Sequence, residues 1–244
     1  MVSDLQMHSA GTPRDNLNVS QISPGRQLRG FFAVIEGVDG SGKTSAIAHV
    51  RTALHVNYPD LLLTREPGGT PEGNAVRGLV VSAGTLDWHP QAELLLMAAA
   101  RAQHVAKVIR PALEAGRFVL CDRYVGSTIA YQGAGHGLDV CEINEIHKLS
   151  TGNLRPDLTV VLDVDPRVAL QRSRARLTGS GVNEGRFEGL DIDFHQRVRN
   201  SFLAQAAADP EHYKVIDGHR EPSEVWSELE EVLLSVLAKT GLNN

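Results

Sequence analysis

The chain has 244 residues, 42% hydrophobic and 22% charged, enough to bury a substantial core in one globular domain. A formal net charge of −5 argues against a long nucleic-acid polymer as partner, because such binding needs a basic surface to displace counterions. No apolar run approaches the ~20 residues of a membrane-spanning helix, and Cys121 and Cys141 are too few for a disulfide framework and lack Cys-x-x-Cys spacing.

Residues 1–29 mix polar side chains with Gly and Pro and hold no apolar core of a secretory signal, so a disordered leader and a cytoplasmic location are expected. From residue 30 onward, short apolar runs alternate with longer amphipathic ones. GFFAVIE, LLLTRE, RFVLCDR, LTVVLDV and YKVID read as five strands; their lack of period-two alternation suits a parallel sheet covered on both faces. Helices are expected at about 44–56, 90–115, 138–149, 166–176, 192–208 and 222–239, with Gly116 closing the second and Pro111 bending its last turn. This alternation implies a single doubly wound α/β domain over 30–244, with a five-stranded parallel sheet flanked by helices and ligands at the carboxyl ends of the strands.

Behind the first strand stands GVDGSGKT, which fits G-x-x-x-x-G-K-[ST] through Gly37, Gly42, Lys43 and Thr44. Glycines let backbone N–H groups curl toward an anion, Lys43 reaches the β and γ phosphates, and the Thr44 hydroxyl suits Mg²⁺. The strand before the motif and the helix after it are the context of a working nucleotide loop, the mark of a P-loop NTPase fold. At the end of the second strand lies TREPGGT, and at the end of the third CDRYVGSTIAYQ. Arg65 and Arg123 could each fork two N–H groups onto a phosphate, and Asp122, directly after a buried strand, could organise Mg²⁺ and its waters. A structural ion pair is the plainer reading of either arginine.

Taken together, FFAVIEGVDGSGKT, TREPGGT, the ARAQ segment, DRYVGSTIAYQG and RPDLTVVLDV resemble the thymidylate kinases, in that family's order and across nearly everything from residue 30 onward. The resemblance implies Mg²⁺-dependent transfer of the γ-phosphate of ATP to dTMP in dTTP synthesis. It implies that Gly37, Val38, Asp39, Gly40, Ser41, Gly42, Lys43 and Thr44 wrap the ATP phosphates, and that Asp39 also faces the sugar and phosphate of the acceptor. Arg65 and Pro67 match acceptor-site positions, Arg101 the arginine near the base, and Arg123 the arginine between donor and acceptor phosphates. Ser127, Thr128, Tyr131 and Gln132 match positions beside the base and sugar. The family's usual phenylalanine before the base-proximal arginine is here Met97, which offers either a flexible surface to the base or an ordinary core contact.

Phosphoryl transfer is accelerated mainly by alignment and by neutralising charge on the oxygens in flight, so further arginines are expected. They occur in QRSRARLTGSGVNEGRFE, where a basic helix end runs into a glycine-rich segment that resembles the family's lid, at about 177–188. No arginine occupies the variable positions of the phosphate loop, so the pattern resembles the bacterial branch that supplies it from the lid. Arg174 and Arg186 are then the foremost contributors, beside Lys43, Asp39 and Arg123, with Arg176 close behind. Arg172 and Arg176 share a helix face from which Arg174 points away, and solvation of the helix end is the plainer reading of both. The resemblance also suggests a homodimer built through helices. Another nucleotide kinase, or an NTP-driven switch, is the alternative; a switch leaves the acceptor-like arginines without a purpose.

Overall fold

Every residue of the segment Phe31–Glu36 is buried, because the sheet it centres is covered on both faces. The computed structural model describes residues 30–82, 84, 86–180, 185–240 and 242; the expected leader over 1–29 and the stretch 181–184 of the expected lid lie outside the described residues. In chain order the elements are β1 (Phe31–Glu36), α1 (Lys43–Leu54), β2 (Leu62–Arg65), α2 (Pro71–Val81), α3 (Pro90–His104), α4 (Arg110–Glu114), β3 (Phe118–Asp122) and α5 (Val125–Thr128). They continue with α6 (Val140–Thr151), β4 (Leu158–Asp163), α7 (Pro166–Ser180), α8 (Ile192–Ala208), β5 (Tyr213–Asp217) and α9 (Pro222–Thr240).

The five strands form one sheet in the order β2-β3-β1-β4-β5, and every pair is parallel. Phe31, Ala33 and Ile35 point into one cluster with Val50 and Leu54 of α1 and Leu229 and Leu233 of α9. Phe32 and Val34 point the other way, against Val105, Ile109 and Leu113. Each of the larger side chains, fully removed from water, contributes roughly 1.5–3 kcal/mol. An isolated polar substitution in β1 would therefore be costly on either face. The register sets Asp122 opposite both Ile35 and Arg65, so the carboxyl ends of β1, β2 and β3 finish side by side. From β1 the chain crosses to β2 on one side of the sheet and later to β4 on the other; that reversal opens a crevice at this edge.

All five strands fall within the expected runs, and α8 spans the expected residues. The helix expected over 90–115 is three pieces, with a π turn at Val105–Ile109 between α3 and α4. Pro111 lies in the first turn of α4 and so does not interrupt the regular bonding of α3. The wider π turn accommodates the missing N–H and the ring, where a simple bend was expected. Two helical segments escaped sequence reading. Gly73, Gly78 and β-branched Val76, Val80 and Val81 weaken the helical appearance of α2, yet Thr70 Oγ1 accepts from Gly73 N at 3.0 Å and Pro71 starts the helix. The DRYVGSTIAYQ stretch likewise leaves β3 and coils into α5 and a second π turn, Ile129–Gly135.

Candidate active site

A cleft of about 570 Å³ opens at the carboxyl edge of the sheet, a volume suited to a small-molecule site. One end is the loop between β1 and α1. Gly40 has φ +83, and a Cβ there would meet Ala169 O of α7 at 1.9 Å; Gly42 caps α1 with φ +96. Both positions need glycine, for conformation and, at Gly40, for space. Lys43 is buried and its Nζ donates to Gly37 O at 3.0 Å and Val38 O at 2.9 Å, with Ser41 Oγ at 3.4 Å. Burial, reinforced by the Arg123 charge, pulls its pKa down to about 8, against the opposing pull of Asp122, Asp39 and Glu36. A phosphate placed here would meet a cation at the entrance of a helix.

Arg123 joins this loop to the segment after β3. Its Nη1 donates to Gly37 O and to Ser127 Oγ, each at 2.9 Å, and its Nη2 donates to Asp39 Oδ1 at 2.6 Å. Tyr131 OH donates to Asp39 Oδ2 at 2.7 Å, and the Arg123 guanidinium lies 5.1 Å from the Tyr131 ring centre. Burial alone would raise the Asp39 pKa, but Arg123 and Lys43 outweigh it and hold the carboxylate well below its ordinary range. Arg123 has φ 71, a left-handed backbone that costs a non-glycine residue roughly 1–2 kcal/mol. The bond from Arg123 N to Ile35 O at 3.0 Å and the guanidinium bonds to Gly37, Ser127, Asp39 and Tyr131 hold it there.

Three buried glutamates support the acceptor half of the cleft. Glu36, at the end of β1, accepts from Tyr124 N at 3.0 Å and Ser127 N at 2.9 Å through Oε1, and from Ser127 Oγ through Oε2 at 2.5 Å. It thereby pins the start of α5, and burial raises its pKa despite the opposing Arg123 charge. Glu66 accepts from Arg101 Nε at 2.7 Å and stands 3.0 Å from His104 Nδ1. Arg101 also donates to Thr128 Oγ1 at 2.8 Å and lies 5.2 Å from the Tyr124 ring centre. Glu93, in the first turn of α3, accepts from Gln132 Nε2 at 2.6 Å.

The cleft brings together Asp39, Gly40, Gly42, Lys43, Thr44, Arg65, Pro67, Met97, Arg101, Asp122, Arg123, Ser127, Thr128, Tyr131 and Gln132. Gly37 and Val38 lie behind the loop, where their carbonyls receive Lys43, and Ser41 is buried beside the same amine. Met97 lines the cleft and also packs against the cluster of Val38, Tyr131 and Phe187.

Near the lid the placement differs from expectation. Arg172 and Arg176 line the cleft, whereas Arg174 and Arg186 are not on its wall. Arg174 donates to Glu188 O at 2.9 Å, and Arg186 donates to Glu93 Oε2 and, at 3.1 Å, to Val80 O. Arg172 and Arg176 share one face of α7, and it is that face which turns to the crevice. Arg77 of α2 and Glu188 also line the cleft and were missed by sequence reading. For Arg77 the signal was the helix start Thr70-Pro71-Glu72, whose threonine is the last residue of TREPGGT. For Glu188, whose Oε1 accepts from Ser173 Oγ at 2.7 Å, sequence held none.

A cation can be accommodated. Asp122 Oδ1 is buried with no hydrogen-bond partner, and Thr44 is exposed on the same cleft wall. Among the described residues no group of three His, Cys, Asp or Glu side chains could hold a metal by itself. The donor set therefore fits a hard cation that keeps several waters and takes other ligands from phosphates.

Comparison with known proteins agrees with this geometry. A family model described as thymidylate kinase matches residues 35–229. A thymidylate kinase of Cereibacter sphaeroides is 53% identical over 211 residues, covering 86% of this chain and 97% of that one. One from Geobacter sp. is 45% identical over 217 residues, covering 87% and 96%. The crystal structure of thymidylate kinase from Ehrlichia chaffeensis superposes with a TM-score of 0.65 at 34% identity, covering 84% of this chain and 98% of that one. With its phosphate loop, its arginine-bearing strand ends and these relatives along most of its length, the chain belongs to the thymidylate kinase family.

Proposed function

We propose that the chain transfers the γ-phosphate of ATP to dTMP, giving ADP and dTDP, and that the cleft residues divide into a donor half and an acceptor half. The loop from Gly37 to Thr44 and Lys43 hold the ATP phosphates. Mg²⁺, when bound, neutralises charge on the phosphate oxygens, and Thr44 and Asp122 are the residues that would hold it. Arg65 and Arg123 receive the dTMP phosphate, and Asp39 faces its sugar and phosphate. The base lies against Pro67, Met97, Arg101, Thr128 and Gln132, with Ser127 and Tyr131 between base and sugar. Arg172 and Arg176 supply charge from α7, with Arg174 just before a lid over 177–188 and Arg186 within it.

The observation that carries this reading is the position of Arg123, bonded to Gly37 O and Asp39 in the donor loop and to Ser127 at the start of the acceptor half. A guanidinium so placed can follow a phosphoryl group from one side to the other without moving its backbone, and fixed charge at that point lowers the barrier most. The wider reading is a single catalytic domain over 30–244, a cytoplasmic location and a homodimer through helices. For the dimer, Leu95 of α3 and Leu149 of α6 are 58% and 88% exposed, apolar side chains that a partner would cover. The test is coupled turnover of ATP by the purified chain with dTMP, dUMP, dCMP or no acceptor. ADP release is expected to require a monophosphate, with dTMP preferred. ATP hydrolysis at one rate with and without acceptor would replace this reading by that of an NTP-driven switch.

A further inference from the structure

Glu93 is fully buried, and both of its oxygens are engaged. Oε1 accepts from Gln132 Nε2 at 2.6 Å with His136 Nε2 at 3.5 Å, and Oε2 accepts from Arg186 Nη1 at 2.5 Å. Burial would raise its pKa, but His136, Gln132 and Arg186 beside it outweigh burial and lower it; ion-paired with the Arg186 guanidinium, the group is an ionised acceptor. An ionised carboxylate has no proton to donate, and this settles which way the Gln132 amide faces: nitrogen toward Glu93, carbonyl oxygen away from it. Gln132 lines the cleft, and Glu93 is its one side-chain partner among the described residues.

We propose that Glu93 is a positioning residue for base selection: by holding Gln132 Nε2 it presents the Gln132 carbonyl to the cleft as an acceptor, favouring a pyrimidine whose ring nitrogen carries a proton over one that offers a lone pair there. Thymine and uracil have that N–H; cytosine does not. The inference rests on the acceptor being dTMP as proposed above. The mechanism is exclusion as much as attraction, since two lone pairs facing each other in a dry pocket leave both groups without partners.

The key variant is Glu93→Gln. Its single carbonyl oxygen cannot serve both Arg186 and Gln132, and the charged arginine makes the stronger claim. Its NH₂ group then faces Gln132, whose amide turns over and offers a donor to the cleft. Calorimetric binding and turnover of dTMP and dCMP on the full chain read the result. Glu93→Gln is expected to weaken dTMP binding about tenfold and to narrow the preference for dTMP over dCMP by tenfold or more. Glu93→Asp keeps an acceptor and should hold the preference within about threefold, whatever its affinity. Arg186→Ala, which leaves Glu93 facing Gln132, should also hold it. An unchanged preference in a folded Glu93→Gln protein, or a loss as large in Arg186→Ala, overturns the assignment. Should Glu93→Gln not fold, loss of the preference in Glu93→Asp overturns it instead. Absence of dTMP-dependent turnover in the unsubstituted chain would strike the acceptor reading itself, whereas normal dTMP turnover with an indifferent Glu93→Gln strikes only this inference.

Discussion

The two halves of the cleft are built on different principles. The donor half is one continuous stretch of eight residues, shaped by positive-φ glycines and by backbone groups, with Lys43 folded back onto its own carbonyls. The acceptor half is assembled from separate places in the chain, and its Ser127 hydroxyl, Arg101 guanidinium and Gln132 amide are held by the buried carboxylates Glu36, Glu66 and Glu93 respectively. A backbone-built site recognises what all nucleotides share, their phosphates. A site built from side chains locked by other side chains can discriminate, because each locked group has one donor or acceptor face to show.

The sharpest way to test that division is Arg123→Ala, because this residue touches both halves. Its loss should lower kcat about 10²- to 10³-fold in steady-state assays, and an unchanged kcat in a folded variant would remove it from the catalytic set. Next is Glu66→Gln, which weakens the pairs with Arg101 and His104. Breaking a buried pair of this kind costs about 3 kcal/mol of stability by denaturant titration. It should also raise KM for dTMP about tenfold, a loss of roughly 1.4 kcal/mol, while KM for ATP holds. Equal rises in both constants would break the comparison.

Acid should undo the acceptor half through His147. Its ring packs edge-on against Tyr124 at 5.5 Å and bonds Leu154 O at 3.0 Å. Burial, aided by the charges of Arg101 and Arg155, lowers its pKa from 6.5 to about 4. The folded state therefore holds it neutral while the unfolded chain protonates, so its contribution is complete above about pH 6.5 and is lost as pH falls toward about 4. Allowing for solvent screening, the loss is about 2 kcal/mol. Denaturation midpoints measured across that range should fall less steeply in His147→Gln; parallel curves would assign the acid limb elsewhere. The smallest effect is expected from Met97→Phe, which replaces a flexible surface by an aromatic face and should tighten dTMP binding by about 0.5–1 kcal/mol in calorimetry. No change would leave Met97 as packing alone.

How legible each half was follows from the same division. GVDGSGKT, TREPGGT and DRYVGSTIAYQ could be read because each is one unbroken stretch at the end of a strand, although the helices α2 and α5 that follow the last two were not visible. The carboxylates could not: Glu36 lies 91 residues from Ser127, Glu66 lies 35 from Arg101, and Glu93 lies 39 from Gln132. Glu93 in AELLLM looks like the polar stripe of an amphipathic helix, and only the fold, by laying the π turn Ile129–Gly135 against α3, makes that position interior. The arginines of α7 were correctly sorted onto two faces by helical spacing. Which face meets the cleft depends on how α7 packs on α8, and spacing alone carries no such information.

The glycine at position 40 has a mechanical corollary. Its α-carbon rests on the Ala169 carbonyl of α7 with no side chain interposed, so neither partner has a rotamer with which to absorb a displacement. That stretch of α7 is anchored to the phosphate loop, backbone against backbone, and any swing of Arg172 and Arg176 has to originate beyond the anchor, toward the far end of the helix.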